Sequence, residues 1–198
     1  AAYASGSDGR TALYHLLVSL SSTVGTGEND RDSDSFLSLL KIIVGSQGSP
    51  DLPVGSSEGS ALCFVSGNDR LGWTSDGKSV RWIAFDALIS EGSDTGARDQ
   101  SGRTPLIRAC AVPGPESENI VCTLMELGAD ADARDGEGMT AVMHAASIAR
   151  DGGLDIIRTI SDFAEPDLTV RDSKGRDALA IATESDSQGV VKWILERL

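Results

Sequence analysis

Three short stretches of this 198-residue chain repeat one another: "RDQSGRTPL" from Arg98 to Leu106, "RDGEGMTAV" from Arg134 to Val142 and "RDSKGRDAL" from Arg171 to Leu179. Their glycines, Gly102, Gly138 and Gly175, lie 36 and 37 residues apart. A regular period of that size constrains the fold more than composition does. It predicts one supersecondary unit used several times, each unable to bury its apolar face alone and therefore stacked on its neighbours. The unit is helical. After each tip come a short apolar helical pattern, a loop and a second helical pattern: "IVCTLMELGADADAR" from Ile120, "LDIIRTISDFAEPDLTVR" from Leu154 and "VVKWILERL" from Val190. Ile120, Val121, Leu124, Met125 and Leu127 fall at helical spacing, as do Val190, Val191, Ile194, Leu195 and Leu198. Within a tip, Asp and Gly favour a tight turn, and Thr104 caps the first helix with Pro105 preset at its first turn. Gly128 suits the left-handed residue that ends a second helix.

Asp99, Gly102, Thr104, Pro105, Leu106 and Ala109, continued by "LMELGADADA" from Leu124 to Ala133, resemble the ankyrin repeat family. The family pattern runs D-x-x-G-x-T-P-L-H-x-A-A, then a second helix, then G-A-D-x-N-A. The N-terminal half keeps this outline less closely. "SDGRTALYHLL" from Ser7 and "DSFLSLLKIIVGSQG" from Asp34 supply two helices around the polar insert "SSTVGTGENDRDSD". "SEGSALCFVS" from Ser57 is a degenerate start, with Ser60 in the Thr position and Glu58 where Gly is expected, and "VRWIAFDALISEGSDTGARD" from Val80 ends on the family's turn. Spacings of 49 residues from Thr11 to Ser60 and 44 from Ser60 to Thr104 put insertions in the first two repeats. The resemblance implies an all-α fold, a solenoid of about five helix-turn-helix repeats joined by hairpin-like loops. It forms one ankyrin repeat domain over 1–198, with approximate repeats at 6–50, 55–97, 98–134, 135–171 and 172–198.

The side-chain chemistry argues against catalysis. Thirty acidic against 17 basic side chains give a formal charge of −13, which repels phosphate backbones and anionic lipid heads. No nucleic-acid or membrane partner is expected; the surplus carboxylates either keep the protein in solution or receive basic peptides. The apolar runs fall short of the roughly 18 residues of a membrane span, and "AAYASGSDGR" lacks the basic start and apolar stretch of a signal peptide. Cys63, Cys110 and Cys122 have no C-x-x-C spacing and read as reduced core thiols of an intracellular protein, in the cytoplasm or nucleus. His15 and His144 occupy equivalent slots, so repeats stacked at ~10 Å keep them apart and exclude a shared metal or catalytic site. Each is expected to be partly buried and bonded to a neighbouring repeat's hairpin, although the family's own histidine falls one place earlier, at Tyr14 and Met143. The acidic stretches "GENDRDSD" and "GADADARDGEG" lack the ligand register of a calcium loop, and Asp130, Asp132 and Asp135 read as turn formers. With no nucleophile elbow, Walker loop or zinc-helix motif, the expectation is no catalytic residue, no cofactor, no metal and no enzyme activity. Trp82 and Trp193 sit in helical apolar patterns and are expected in the core. Trp73, in "NDRLGWTSDGKS", is either a lid folded back over the helices, the favoured reading, or a partner contact.

What the resemblance implies for function is a protein–protein interaction module, a scaffold or adaptor. It binds a protein or peptide across the hairpin tips and first helices of its concave face. Mapped onto this chain, that face presents Asp8, Arg10, Gln100, Ser101, Arg103, Val112, Glu137, Met139, Ser147, Ile148, Lys174 and Arg176, with Met139 and Ile148 as apolar anchors pointing off the stack. The alternative is the substrate-recognition or targeting domain of a larger enzyme such as a kinase, methyltransferase or ubiquitin ligase, suggested by a chain that opens near a tip and stops at a second helix. The expected state is accordingly a monomer or part of a larger polypeptide.

Overall fold

A computed structural model describes residues 15, 37–38, 40–42, 53–55, 59–71, 73 and 77–198 of the chain. They fall into two compact units, Ala1–Gln100 and Ser101–Leu198. In the first, residues 15, 37–38 and 40–42 are helical and Leu40 is fully buried. Asp8, Arg10 and the acidic insert at 27–34 lie outside the described residues. Two short antiparallel strands, β1 (Pro53–Gly55) and β2 (Gly59–Ser60), lead into α1 (Ala61–Ser66), against which α2 (Val80–Ser90) packs.

Local chemistry explains both helices. Ser60 takes the expected capping position, its Oγ accepting from the backbone N–H of Cys63 at 3.3 Å, and Ser79 does the same for Trp82 at 3.3 Å. The tip glycine is Gly59, one place after the expected position: its φ is +72°, and a Cβ there would meet Asp99 Cα at 2.7 Å. Every residue of α1 is buried. Arg81, only 2% exposed, lies at the far end of that helix, donating from Nε to the Val65 carbonyl at 3.2 Å and from Nη2 to the Ser66 carbonyl. The last carbonyls of a helix lack internal partners and carry the negative end of its dipole, so a buried guanidinium is accommodated there.

The second unit consists of α3 (Pro105–Cys110), α4 (Pro115–Glu126), α5 (Ala141–Ala146), α6 (Leu154–Phe163), α7 (Ala178–Glu184) and α8 (Gln188–Leu195). They form three helix pairs, α3 with α4, α5 with α6 and α7 with α8. The first helices stack as α3–α5–α7; α4 lies against α6, whereas α6 and α8 touch little. Helices of six or seven residues are too short to persist alone. These are held by packing and by caps, with Thr104, Thr140 and Asp177 accepting from the N–H groups of Ile107, Met143 and Ala180 at 3.3, 3.4 and 2.9 Å. All of α5 is buried, and its alanines let neighbouring helices approach. The outer helices are one-sided: Ile120, Val121 and Leu124 of α4, and Ile157 and Ile160 of α6, are fully buried, while Asp155 and Arg158 face solvent.

Candidate functional site

Each tip of the second unit is a hairpin organised by one aspartate. The Asp135 N–H donates to the Met139 carbonyl at 3.0 Å, and its Oδ1 accepts from the backbone N–H groups of Glu137 and Met139, both at 2.9 Å. The following tip repeats this bond for bond: Asp172 N–H to the Arg176 carbonyl at 2.9 Å, and Oδ1 accepting from Lys174 and Arg176 N–H, both at 2.9 Å. Gly102, Gly138 and Gly175 hold φ of +74°, +79° and +79°, the left-handed region that a side chain would strain. Successive tips are tied together by Gly136 N–H to the Ser101 carbonyl at 2.7 Å and Ser173 N–H to the Glu137 carbonyl at 2.8 Å. Arg134 adds a clamp, donating to the Gly138 carbonyl at 3.1 Å and to the Arg171 carbonyl at 2.6 Å.

The second carboxylate oxygen is satisfied differently in the two tips. Asp172 Oδ2 accepts from Arg176 Nε at 3.0 Å and Nη2 at 2.8 Å, and the same guanidinium reaches Glu184 Oε2 at 2.7 Å. Met139 stands where Arg176 stands one repeat on, and it has no proton to give. His144 of α5 fills the gap, its Nε2 lying 2.8 Å from Asp135 Oδ2, with Arg103 Nε at 3.6 Å. His144 is therefore bonded to its own repeat's hairpin, not to a neighbour's as the sequence suggested. Burial holds its pKa below the usual imidazole value, Arg103 adding to that, and these outweigh the opposing pull of Asp135. Burial pushes the Asp135 carboxyl up, but hydrogen bonds from His144 and from the Met139 and Glu137 backbone hold it below the ordinary carboxylate range. At neutral pH the pair is thus a carboxylate receiving a proton from a neutral ring.

Of the residues expected on the binding face, Ser101, Glu137, Ser147 and Lys174 are exposed, while Arg103, Val112, Ile148 and Arg176 are half-buried. Gln100 is exposed at the end of the first unit. Met139 does not point off the stack: it is 7% exposed, packed inward at a position that arginine fills in the other two tips. Four other expectations change. His15 is exposed rather than partly buried. Trp73 is 61% exposed and is not folded back as a lid, its backbone pairing with Ser79. Trp82 is half-buried although Trp193 is in the core, and Cys122 is half-buried although Cys63 and Cys110 are enclosed. Asp130 and Asp132 are turn formers as expected, Asp130 Oδ1 accepting from the Asp132 N–H and Asp132 Oδ1 from the Asp167 N–H, both at 3.0 Å. Among the described residues no group of three or more His, Cys, Asp or Glu side chains is placed to hold a metal ion, and no helix is long and apolar enough to cross a membrane.

The recurring hairpin, capped short helix and outer helix agree with a comparison against protein families. Residues 111–197 match the family model for ankyrin repeats, in three copies. These residues are ankyrin repeats. Gly102 and Thr104, just before the matched stretch, hold the same conformation and cap as their ankyrin counterparts within it. No curated protein matches the chain. Ankyrin repeats generally mediate protein–protein interaction, so the surface of interest is the row of tips rather than a pocket built for chemistry.

Proposed function

We propose that the ankyrin repeats form a non-catalytic module that holds a protein or peptide partner against the tips and first helices of the second unit. The supporting observation is rigid presentation. Ser101, Glu137 and Lys174 occupy the same position in successive tips, all are exposed, and the tip-to-tip bonds of 2.7 and 2.8 Å fix their spacing. A neutral, an acidic and a basic side chain at one repeated position form a pattern a partner can read without any loss of the stack. Ile148 and Val112, half-buried just past the far ends of their first helices, supply the apolar contact, so the anchoring role assigned to Met139 passes to Ile148. The reading includes action inside the cell, supported by Cys63 and Cys110 being buried free thiols.

The test is quantitative capture from cell extract with the wild-type chain and with a Glu137→Lys/Lys174→Glu variant. The variant should keep its stability within about 0.5 kcal/mol, as exposed substitutions do. It should lose the proteins the wild type retains, with binding weakened by ~1 kcal/mol or more. Retention of the same proteins at the same affinity would remove the tip row from the interface.

A further inference from the structure

The outer helices of the second unit are not evenly stacked. Where α6 and α8 diverge, a cleft of about 500 Å³ opens, lined by α6, the loop after it and α8. Pro166, Leu168, Trp193 and Leu198 give it an apolar lining. Its charged lining comprises two arginines and three carboxylates, and these do not cancel. Arg158 is paired with Asp155 on its own helix at 3.2 Å. Arg197 lies over the Trp193 ring, 4.0 Å from its centre, and donates to the Trp193 carbonyl at 3.2 Å. Among the acids, Asp167 Oδ1 is occupied by the Thr169 N–H at 2.9 Å and the Thr169 hydroxyl at 2.7 Å. Asp162 and Glu165 remain: both are exposed, and neither has an ion pair among the described residues.

We propose that this cleft is a second docking site, distinct from the tip row, and that it takes a basic peptide segment carrying an apolar side chain. The apolar group lies against Leu168 and Leu198, beside the largely buried Trp193, and a Lys or Arg next to it pairs with Asp162 and Glu165. Charge decides the occupant. Three carboxylates against two arginines leave the cleft a negative charge in excess, and Asp162 and Glu165 carry no ion pair among the described residues, so a basic segment meets partners there. Lysine and arginine also suit the site because their aliphatic stems cover apolar surface while the charged head stays near the carboxylates. The chain's formal charge of −13 extends the same preference to the approach of the partner.

A phage-displayed library of random 12-residue peptides tests this, selected on the wild-type chain and counter-selected on an Asp162→Lys/Glu165→Lys variant. Both substituted residues are exposed, and unchanged circular dichroism and melting of the variant verify its fold. The peptides retained should carry Lys or Arg next to an apolar residue. Synthesised, they should shift the Trp193 indole N–H resonance, and their affinity should fall roughly tenfold or more on the double variant while Lys174→Glu leaves it unchanged. The proposal is overturned if no peptide prefers the wild type, if the selected peptides lack net positive charge, or if they bind the double variant equally well. Peptides that lose affinity on Lys174→Glu instead would report the tip row, and would count against the cleft while leaving the first reading intact.

Discussion

Asp135 and Asp172 occupy the same place in successive tips and accept the same two backbone N–H groups, yet their outer oxygens depend on different residues. Arg176 serves one; His144 serves the other because Met139 cannot. His144→Ala should leave Asp135 Oδ2 with only Arg103 at 3.6 Å, and an under-satisfied buried acceptor costs about 1–3 kcal/mol. Adding Met139→Arg to that variant supplies the guanidinium that Arg176 provides one repeat on, and should restore part of the loss. The same pair predicts a pH effect of definite sign. Since burial lowers the folded pKa of His144 below its ordinary 6.5, the unfolded chain binds more protons in that range. The contribution is complete above about pH 6.5 and shrinks as pH falls through it, while the lowered Asp135 adds a loss only in the more acidic carboxylate range. Urea denaturation at about pH 7.5 and about pH 5.5 should show wild-type stability falling, and falling less in the His144→Ala/Met139→Arg variant. A wild type that gained stability relative to the double variant on acidification would mean that Asp135 holds an imidazolium. The tip aspartates and glycines were legible in the sequence because each has a local reason to be there. The inward turn of Met139 was legible only by comparison: a lone apolar residue where the other two tips carry Arg103 and Arg176 signals burial, and with it the need for another donor.

At the level of elements, the first helices were readable from their caps, since Thr104, Thr140 and Asp177 each act within three residues of themselves. The start of α8 was not readable. Ser187 gives it no side-chain cap; its N–H groups at Gly189 and Val190 donate instead to Asp151 Oδ1, at 2.7 and 3.3 Å, from a loop 38 and 39 residues earlier. That loop is held in an unusual shape, with Arg150 and Asp151 at φ of +57° and +61°. Ser187 Oγ fastens it further by donating to the Ile148 carbonyl at 2.8 Å, and Gly153 sits so close to α5 that a Cβ would lie 2.0 Å from the Ala145 carbonyl oxygen. No spacing rule announces a cap delivered across that distance. Asp151→Ala should cost about 0.5–2 kcal/mol, as lost helix caps do. It should also speed amide exchange at Gly189 and Val190, and Asp151→Gly, which removes the left-handed strain but not the loss of the cap, should speed it equally. Unchanged exchange in both variants would show that α8 does not depend on this contact.

For the molecule as a whole, the repeat period was carried by residues with their own local reasons and so survived in the sequence. The cleft between α6 and α8 arises from how two outer helices diverge, which neither helix encodes by itself. Net charge, by contrast, is fully legible, and its consequence belongs to no single residue. A formal −13 repels itself in any compact state. Ion pairs at the surface, such as Arg158 with Asp155 and Lys192 with Glu196, are exposed, and pairs of that kind contribute little. The bonds of the Asp135 and Asp172 carboxylates are buried or partly buried and the tip-to-tip bonds join backbone groups, so they are less screened than exposed ion pairs. Raising NaCl from about 0.01 M to about 0.15 M shortens the screening length from about 30 Å to about 8 Å. This weakens repulsion between distant carboxylates far more than any contact at 3 Å. The melting temperature should therefore rise with salt over this range, while the affinity of a basic peptide for the Asp162 and Glu165 carboxylates falls. A melting temperature that fell with salt would show that local pairs, above all Arg176 with Asp172 and Glu184, outweigh the repulsion of the whole chain.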